Sequence, residues 1–313
     1  MAKRVTKELI AVVPLMVERR GRVERALASH DPGSDLGARR EMQLYAALGA
    51  SLIQIKGHVH ETGAAWTHAL RCAERLDDTE YQLRSLWGLW SYRLSRGEHR
   101  AAQALAQRFS SIAAHTTDPA DQLIGARLVG VSWHYLGDQR EARRYLERML
   151  NHYVAPVYRP HAIRFQYDQR VMARAALAWI LWLQGCSDQA VDIAKRNAEE
   201  ARASDHALSL SYALAEAACP VALFVGDLAA AECLIEMLLE HSAKHALSLA
   251  HAWGRYLEGV LRIKGGDAVT GLQLLRTTFD ELGETRFVLR YTAFLGAFVE
   301  GLISAGQVAH CGD

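Results

Sequence analysis

Apolar residues along this chain fall in helix-length blocks parted by short polar turns, and no run alternates β-branched residues between turns. The blocks predict helices in pairs, at 37–55 and 60–76, 79–95 and 98–115, 119–136 and 139–152. They continue at 168–184 and 187–203, 206–225 and 228–243, and 247–264 and 267–282, and a single first helix at 286–305 follows. Between the two helices of each pair lies a glycine, at Gly57, Gly97, Gly137, Gly185, Gly226 and Gly266, and Gly306 follows the last helix. The steps between these glycines are 40, 40, 48, 41, 40 and 40 residues. Repeats of that length mark stacked helical hairpins. A helix-ending glycine supplies the left-handed backbone that a Cβ disfavours.

Small residues keep the same register. Ala50, Gly130, Ala178, Cys219 and Gly259 precede a repeat glycine by seven, and Ala102, Ala142, Ala190, Ala231 and Gly271 follow one by five. They predict close approach of the two helices within a hairpin. Glu98, Asp138, Asp227 and Asp267 stand directly after a glycine, where a carboxylate can cap the free amides of a second helix. Asp118-Pro119 opens a first helix with proline in its first turn, and Pro220 predicts a kink within 206–225.

Three stretches break the pattern. Residues 1–36 lie outside the register and read as an N-terminal helical extension or cap, closed by the turn HDPGSD; residues 37–313 read as the repeat domain. The long step from Gly137 to Gly185 carries an insertion at 154–168, VAPVYRPHAIRFQYD, with Tyr158, His161, Arg164 and Tyr167 as candidate contact residues. The helix at 286–305 is strongly apolar, with Phe294, Leu295, Phe298 and Ile303, and only QVAHCGD follows Gly306. That predicts an array truncated after a first helix, whose exposed face seeks a partner or self-associates; docking sideways on 267–282 is the alternative.

Composition narrows the function classes. With 36 basic and 35 acidic side chains, the net charge of +1 leaves no electrostatic footprint for direct nucleic-acid binding. The arginines of the second helices, such as Arg140, Arg143 and Arg144, are interleaved with Glu141 and Glu147 and read as a solvated face. Five cysteines form no CxxC pair, which fits reduced thiols in a reducing compartment. The N-terminal apolar run AVVPLMV is short and broken by Pro14, so it does not read as a signal peptide. No stretch is expected to reach the ~20 apolar residues of a membrane span. The expected location is the cytoplasm, without a membrane.

The register matches the tetratricopeptide (TPR) pattern: the small residue seven before the glycine, the acidic residue one after and the alanine five after. WHYLGD at 133–138 and LFVGD at 223–227 carry it. The period of about 40 exceeds the 34 residues of that family's repeat. LYAALGASLIQIKG, RSLWGLWSYRLSRGEHRAAQALAQR and RVMARAALAWILWLQGCSDQAVDIAKRNAEEA also resemble the C-terminal helical repeats of large bacterial signalling proteins. In those, a winged-helix or cyclase domain and a signal-transduction ATPase precede the repeats. The resemblance covers roughly 37–309 and implies a right-handed all-α solenoid of about six and a half TPR-like hairpins. It implies a protein–protein interaction role in signal transduction, as the repeat portion of a transcriptional or signalling regulator whose ATPase or DNA-binding domain is encoded elsewhere. Neither a GxxxxGK[ST] loop nor a recognisable helix-turn-helix occurs here.

Candidate chemistry is sparse. No GxSxG or HExxH is present, His241 and His245 sit at a helix end, and Asp77-Asp78 and Glu199-Glu200 read as solvating charge, so neither catalysis nor a cofactor nor a metal is expected. The aromatics say more. Positions 13, 10, 6 and 3 before each glycine are predicted to face the concave wall, and they hold Arg84, Trp87, Arg127, His134, Trp179, Trp182, Trp253 and Tyr256. Trp and Arg anchor interfaces, so this wall is a candidate groove for a peptide or protein partner. Trp66 and Trp90 fall on helix-packing positions. The alternative is a small-molecule sensor that encloses its ligand between this wall and the 154–168 loop, with the aromatics and Arg164 forming the pocket.

Overall fold

The computed structural model describes residues 21–26, 35–154, 164–283 and 291–307. The helices are α1 (Asp35–Lys56), α2 (His60–Arg75), α3 (Thr79–Ser95), α4 (His99–Ala113), α5 (Pro119–Leu136) and α6 (Gln139–His152). After the insertion come α7 (Gln169–Leu183), α8 (Ser187–Ala203), α9 (Ala207–Val225), α10 (Leu228–Lys244), α11 (Ser248–Lys264), α12 (Ala268–Leu282) and α13 (Tyr291–Ser304). No strand occurs among the described residues. The expected turn at 30–35 lies, but for Asp35, outside them, as do Tyr158, His161 and the start of the last predicted helix.

Each helix packs on its neighbours in sequence, as a stack of hairpins requires. All seven repeat glycines have positive φ, from 65° at Gly306 to 95° at Gly137. The small residues meet in pairs across the hairpins. A Cβ on Gly271 would lie 2.7 Å from the carbonyl oxygen of Gly259, so only glycine admits that approach. Ala178 and Ala190 are both fully buried, as are Cys219 and Ala231. Asp138, Asp227 and Asp267 accept hydrogen bonds from Glu141, Ala230 and Thr270 amides. Glu98 departs from the expectation: it caps nothing and pairs with Arg93 instead. Its extra methylene carries the carboxylate past the free amides, which is why Asp outranks Glu at this position.

Two apolar cores run through the array and meet along α7. The insertion feeds the first: Phe165 is fully buried, its ring centroid 6.0 Å from Trp87 and 6.1 Å from Phe109. Trp66 of α2 wedges between α1 and α3, where Gly49 and Gly88 make room for its ring.

α9 corrects one expectation. Its 19 residues are long and apolar enough to cross a membrane, although 72% of that stretch is buried in the array. Its apolar surround comes from lying between neighbouring helices on several sides. Pro220 does not simply kink it. Proline lacks an N–H for the carbonyl of Glu216 four residues earlier, and the chain widens into a π turn at Leu214–Ala218 just before it.

The array closes on itself: α11 of the sixth hairpin touches α1 of the first. Gln54 of α1 reaches the end of the insertion, donating to Gln166 Oε1 at 2.7 Å and Tyr167 Oη at 3.2 Å. At the other end, α13 packs on α11 and α12 through buried Phe294, stacked 5.0 Å from Phe279, while Leu295, Val299 and Ile303 stay 42%, 50% and 61% exposed.

Candidate functional site

Closure of the array leaves a cavity of about 590 Å³ at its centre. Every first helix, α1, α3, α5, α7, α9, α11 and α13, contributes to its wall, and no second helix does. Among the predicted wall residues, Trp87, Arg127, His134, Trp179 and Trp253 line it, and so does Tyr167 from the insertion.

Three predicted residues lie elsewhere. Arg84 rests over the ring of Tyr81, 5.0 Å from its centroid. Trp182, on the last turn of α7, packs against Phe224 with centroids 4.5 Å apart. Tyr256 is buried between Trp253 and Phe294, because α13 covers the middle of α11. Arg164 does not join the cavity either. It forms a 2.6 Å ion pair with buried Asp121, so the pocket expected beneath the insertion lacks that residue. Trp90, read as packing, is deeply buried, donates from Nε1 to Ser132 Oγ at 2.9 Å and also lines the cavity.

Several wall residues carried no aromatic or charge signal at the expected positions, Gln54, His58, Ser91, Met172 and Tyr212, while Glu216 lines the cavity from an expected position, ten before Gly226. For α9 the reason is the π turn. It adds a residue between the cavity-facing stretch and Gly226, so Tyr212 and Ala215 face the cavity one position earlier than the register predicts. The same turn positions Trp179. The Glu216 carbonyl, deprived of a donor by Pro220, accepts the indole N–H of Trp179.

The wall is apolar with a few placed polar groups. His58 Nε2 lies 2.9 Å from Ser91 Oγ, and burial pushes its pKa down to about 4, so the ring is neutral near pH 7. His134, hydrogen-bonded from Nδ1 to Gln139 Oε1 at 2.7 Å, is lowered in the same way by burial. Burial raises the Tyr167 phenol, which stays protonated beside Tyr212 at 5.2 Å. Arg127 is the exceptional group. It is 1% exposed, lies 5.2 Å from the Trp90 ring, and has neither ion pair nor hydrogen bond at Nε and Nη2. Burial lowers its pKa to about 10, which still leaves it charged at neutral pH.

Away from the cavity, Glu41, His68 and Cys72 bring three possible ligand atoms within 4.8 Å. His68 already bonds Glu41 at 2.8 Å, and burial and then the Glu41 charge raise the Cys72 thiol, opposite to what a thiolate ligand needs.

No family model matches the chain, and no curated protein matches it. Solved structures do. A Rap protein complexed with competence and sporulation factor superposes with a TM-score of 0.64 at 13% identity, over 97% of this chain and 81% of that one. The apo form of RapI superposes with a TM-score of 0.54 at 10% identity, over 91% and 89%. At these identities the likeness is one of fold. The chain is an all-α solenoid, a TPR-like helical repeat domain.

Proposed function

We propose that this chain is a non-catalytic interaction scaffold that takes a short peptide in its central cavity and changes shape on doing so. The observation that carries the reading is the wall itself: one cavity of about 590 Å³ touched by the first helix of every hairpin. Ligand sites of roughly 300–1,000 Å³ are lined by aromatic and apolar groups with a few fixed polar ones, and this wall has that composition. A protein of similar fold was solved in complex with competence and sporulation factor, which supports a bound partner for an array of this kind.

The mechanism follows from the topology. In a solenoid each repeat touches only its neighbours, so small changes at each hairpin junction add up to a change of pitch. An occupant of this cavity contacts all seven first helices at once and ties non-adjacent hairpins together. Binding therefore tightens the coil and biases the α1–α11 contact, and a partner docked outside can read that change.

The wider setting is proposed on the resemblance and the near-neutral charge. Residues 1–36 act as an extension or cap of a repeat domain spanning 37–313. The chain works in the cytoplasm, without membrane or direct nucleic-acid contact, in signal transduction, as the repeat portion of a transcriptional or signalling regulator. An ATPase or DNA-binding domain encoded elsewhere is its effector. Self-association through α13 is part of the proposal, supported by exposed Leu295, Val299 and Ile303.

Ala176 lines the cavity and is only partly buried, so Ala176→Trp fills the space from one wall. The full chain and this variant are mixed with peptides of four to eight residues, filtered, and analysed by native mass spectrometry. Wild type is expected to retain peptide and the variant to retain none at unchanged helicity. Equal retention by both would place the peptide elsewhere. Retention of a small metabolite from cell extract, and of no peptide, would favour the ligand-sensor alternative.

A further inference from the structure

Arg127 poses a problem that the fold does not solve. A guanidinium with 1% exposure normally meets a carboxylate, since an unpaired buried charge is strongly unfavourable. Arg164 obeys the rule through Asp121. Arg127 stands on the same helix as Asp121 and meets no carboxylate among the described residues. The groups that act on it electrostatically are the phenols of Tyr212 and Tyr153, and no carboxylate is among them. Trp90 covers one face of the guanidinium, a contact that leaves its N–H edge unmet.

That edge is specific. Nε and Nη2, the two atoms without partners, form the side-on fork of arginine, which matches the two oxygens of a carboxylate. Both are shielded from solvent against the wall, so an entering anion must draw the fork out of its packing or slide in beside Tyr212. The residue belongs to the cavity wall, whose own carboxylate, Glu216, lies on α9. The position therefore combines a permanent charge, a bidentate donor set, exclusion of water and an adjoining space.

We propose that Arg127 is the anchor of the cavity and takes a carboxylate of the bound peptide on its Nε–Nη2 fork. The proposal rests on the peptide reading for its occupant, though not for its chemistry. The carboxylate has two possible sources, the C-terminus of the peptide or an Asp or Glu side chain. In either case the occupant supplies the partner that the folded chain withholds, which makes an anionic group a condition of tight binding.

The test uses the full chain and three hexapeptide pools. One has free C-termini and no Asp or Glu, one has the same sequences as C-terminal amides, and one consists of amides with a single Asp or Glu. Retention is read by native mass spectrometry for wild type, Arg127→Met and Arg127→Lys, each checked for helicity. Wild type is expected to retain the first or third pool over the second, and which of the two identifies the source. Arg127→Met should lose at least ~30-fold in affinity, as expected when one member of a buried charge pair is removed. Arg127→Lys keeps the charge without the fork and should fall between. Retention of the neutral amides equal to that of the acids, or unchanged retention by the variants, would overturn the anchor.

A second arm needs no peptide. Hydrocinnamate and its neutral amide are compared for their effect on the melting temperature. The acid alone should stabilise wild type, and neither should stabilise Arg127→Met. If no peptide pool binds yet the acid stabilises wild type selectively, the peptide reading falls and the carboxylate anchor stands. If acid and amide act alike on wild type, the anchor falls whatever the peptides do.

Discussion

Two glycine-to-alanine substitutions should move stability in opposite directions, although both lie inside helices. Alanine is favoured over glycine in a helix interior by about 1 kcal/mol, so propensity alone makes either change stabilising. Gly296 on α13 has nothing within 4 Å of a built Cβ, and Gly296→Ala should gain up to about 1 kcal/mol. At Gly88 on α3 a Cβ would lie 2.3 Å from Cδ2 and Cε2 of Trp66. Relaxed carbon contacts are about 3.5–4.0 Å, so the indole must retreat by about 1 Å or more. It has nowhere to go, because a Cβ on Gly49 across the ring would also stand 2.7 Å from it. Overpacking of this kind costs about 1–3 kcal/mol and outweighs the gain in propensity. Urea unfolding followed by far-ultraviolet circular dichroism should give a lower midpoint for Gly88→Ala and a higher one for Gly296→Ala. In a Trp66→Leu background the obstacle is gone, and Gly88→Ala should become neutral or favourable. An upward shift for Gly88→Ala in the wild-type background would refute the wedge.

Trp179→Phe withdraws the donor from the Glu216 carbonyl that Pro220 cannot serve, and should cost about 1–3 kcal/mol in the same unfolding assay. Trp182→Phe, whose indole makes no such bond, is the control, and equal losses from the two would remove the π turn from the account. Acid should weaken the fold through His58. Its pKa is about 4 in the folded state and near 6.5 in the unfolded chain, so between those values the unfolded state binds the proton that the folded state refuses. Stability is therefore retained above about pH 6.5 and lost as the pH falls toward 4. His58→Gln should flatten that slope in part, since burial shifts His99, His134 and His206 in the same direction; an unchanged slope would exclude His58.

The hairpin array could be read from the chain because its determinants are local and repeated. A glycine at positive φ, a short acidic cap and a pair of small residues each act within a few residues or across one hairpin, and the helices at 119–136 and 139–152 fall where the register puts them. Part of the cavity wall was legible for the same reason: Trp87, Arg127 and His134 keep the spacing from their glycines that one face of an uninterrupted helix imposes. The remainder depended on contacts between residues far apart in sequence. The π turn before Pro220 shifted Tyr212 and Ala215 of α9 by one, and the docking of α13 buried Tyr256. The pairing of Arg164 with Asp121, with the reach of Gln54 to Tyr167, turned the end of the insertion into a structural tie. Most of all, whether a buried arginine has a partner is a property of the closed array. Local sequence placed Arg127 on the inner face, and only the packing of seven first helices around one space left its charge unpaired.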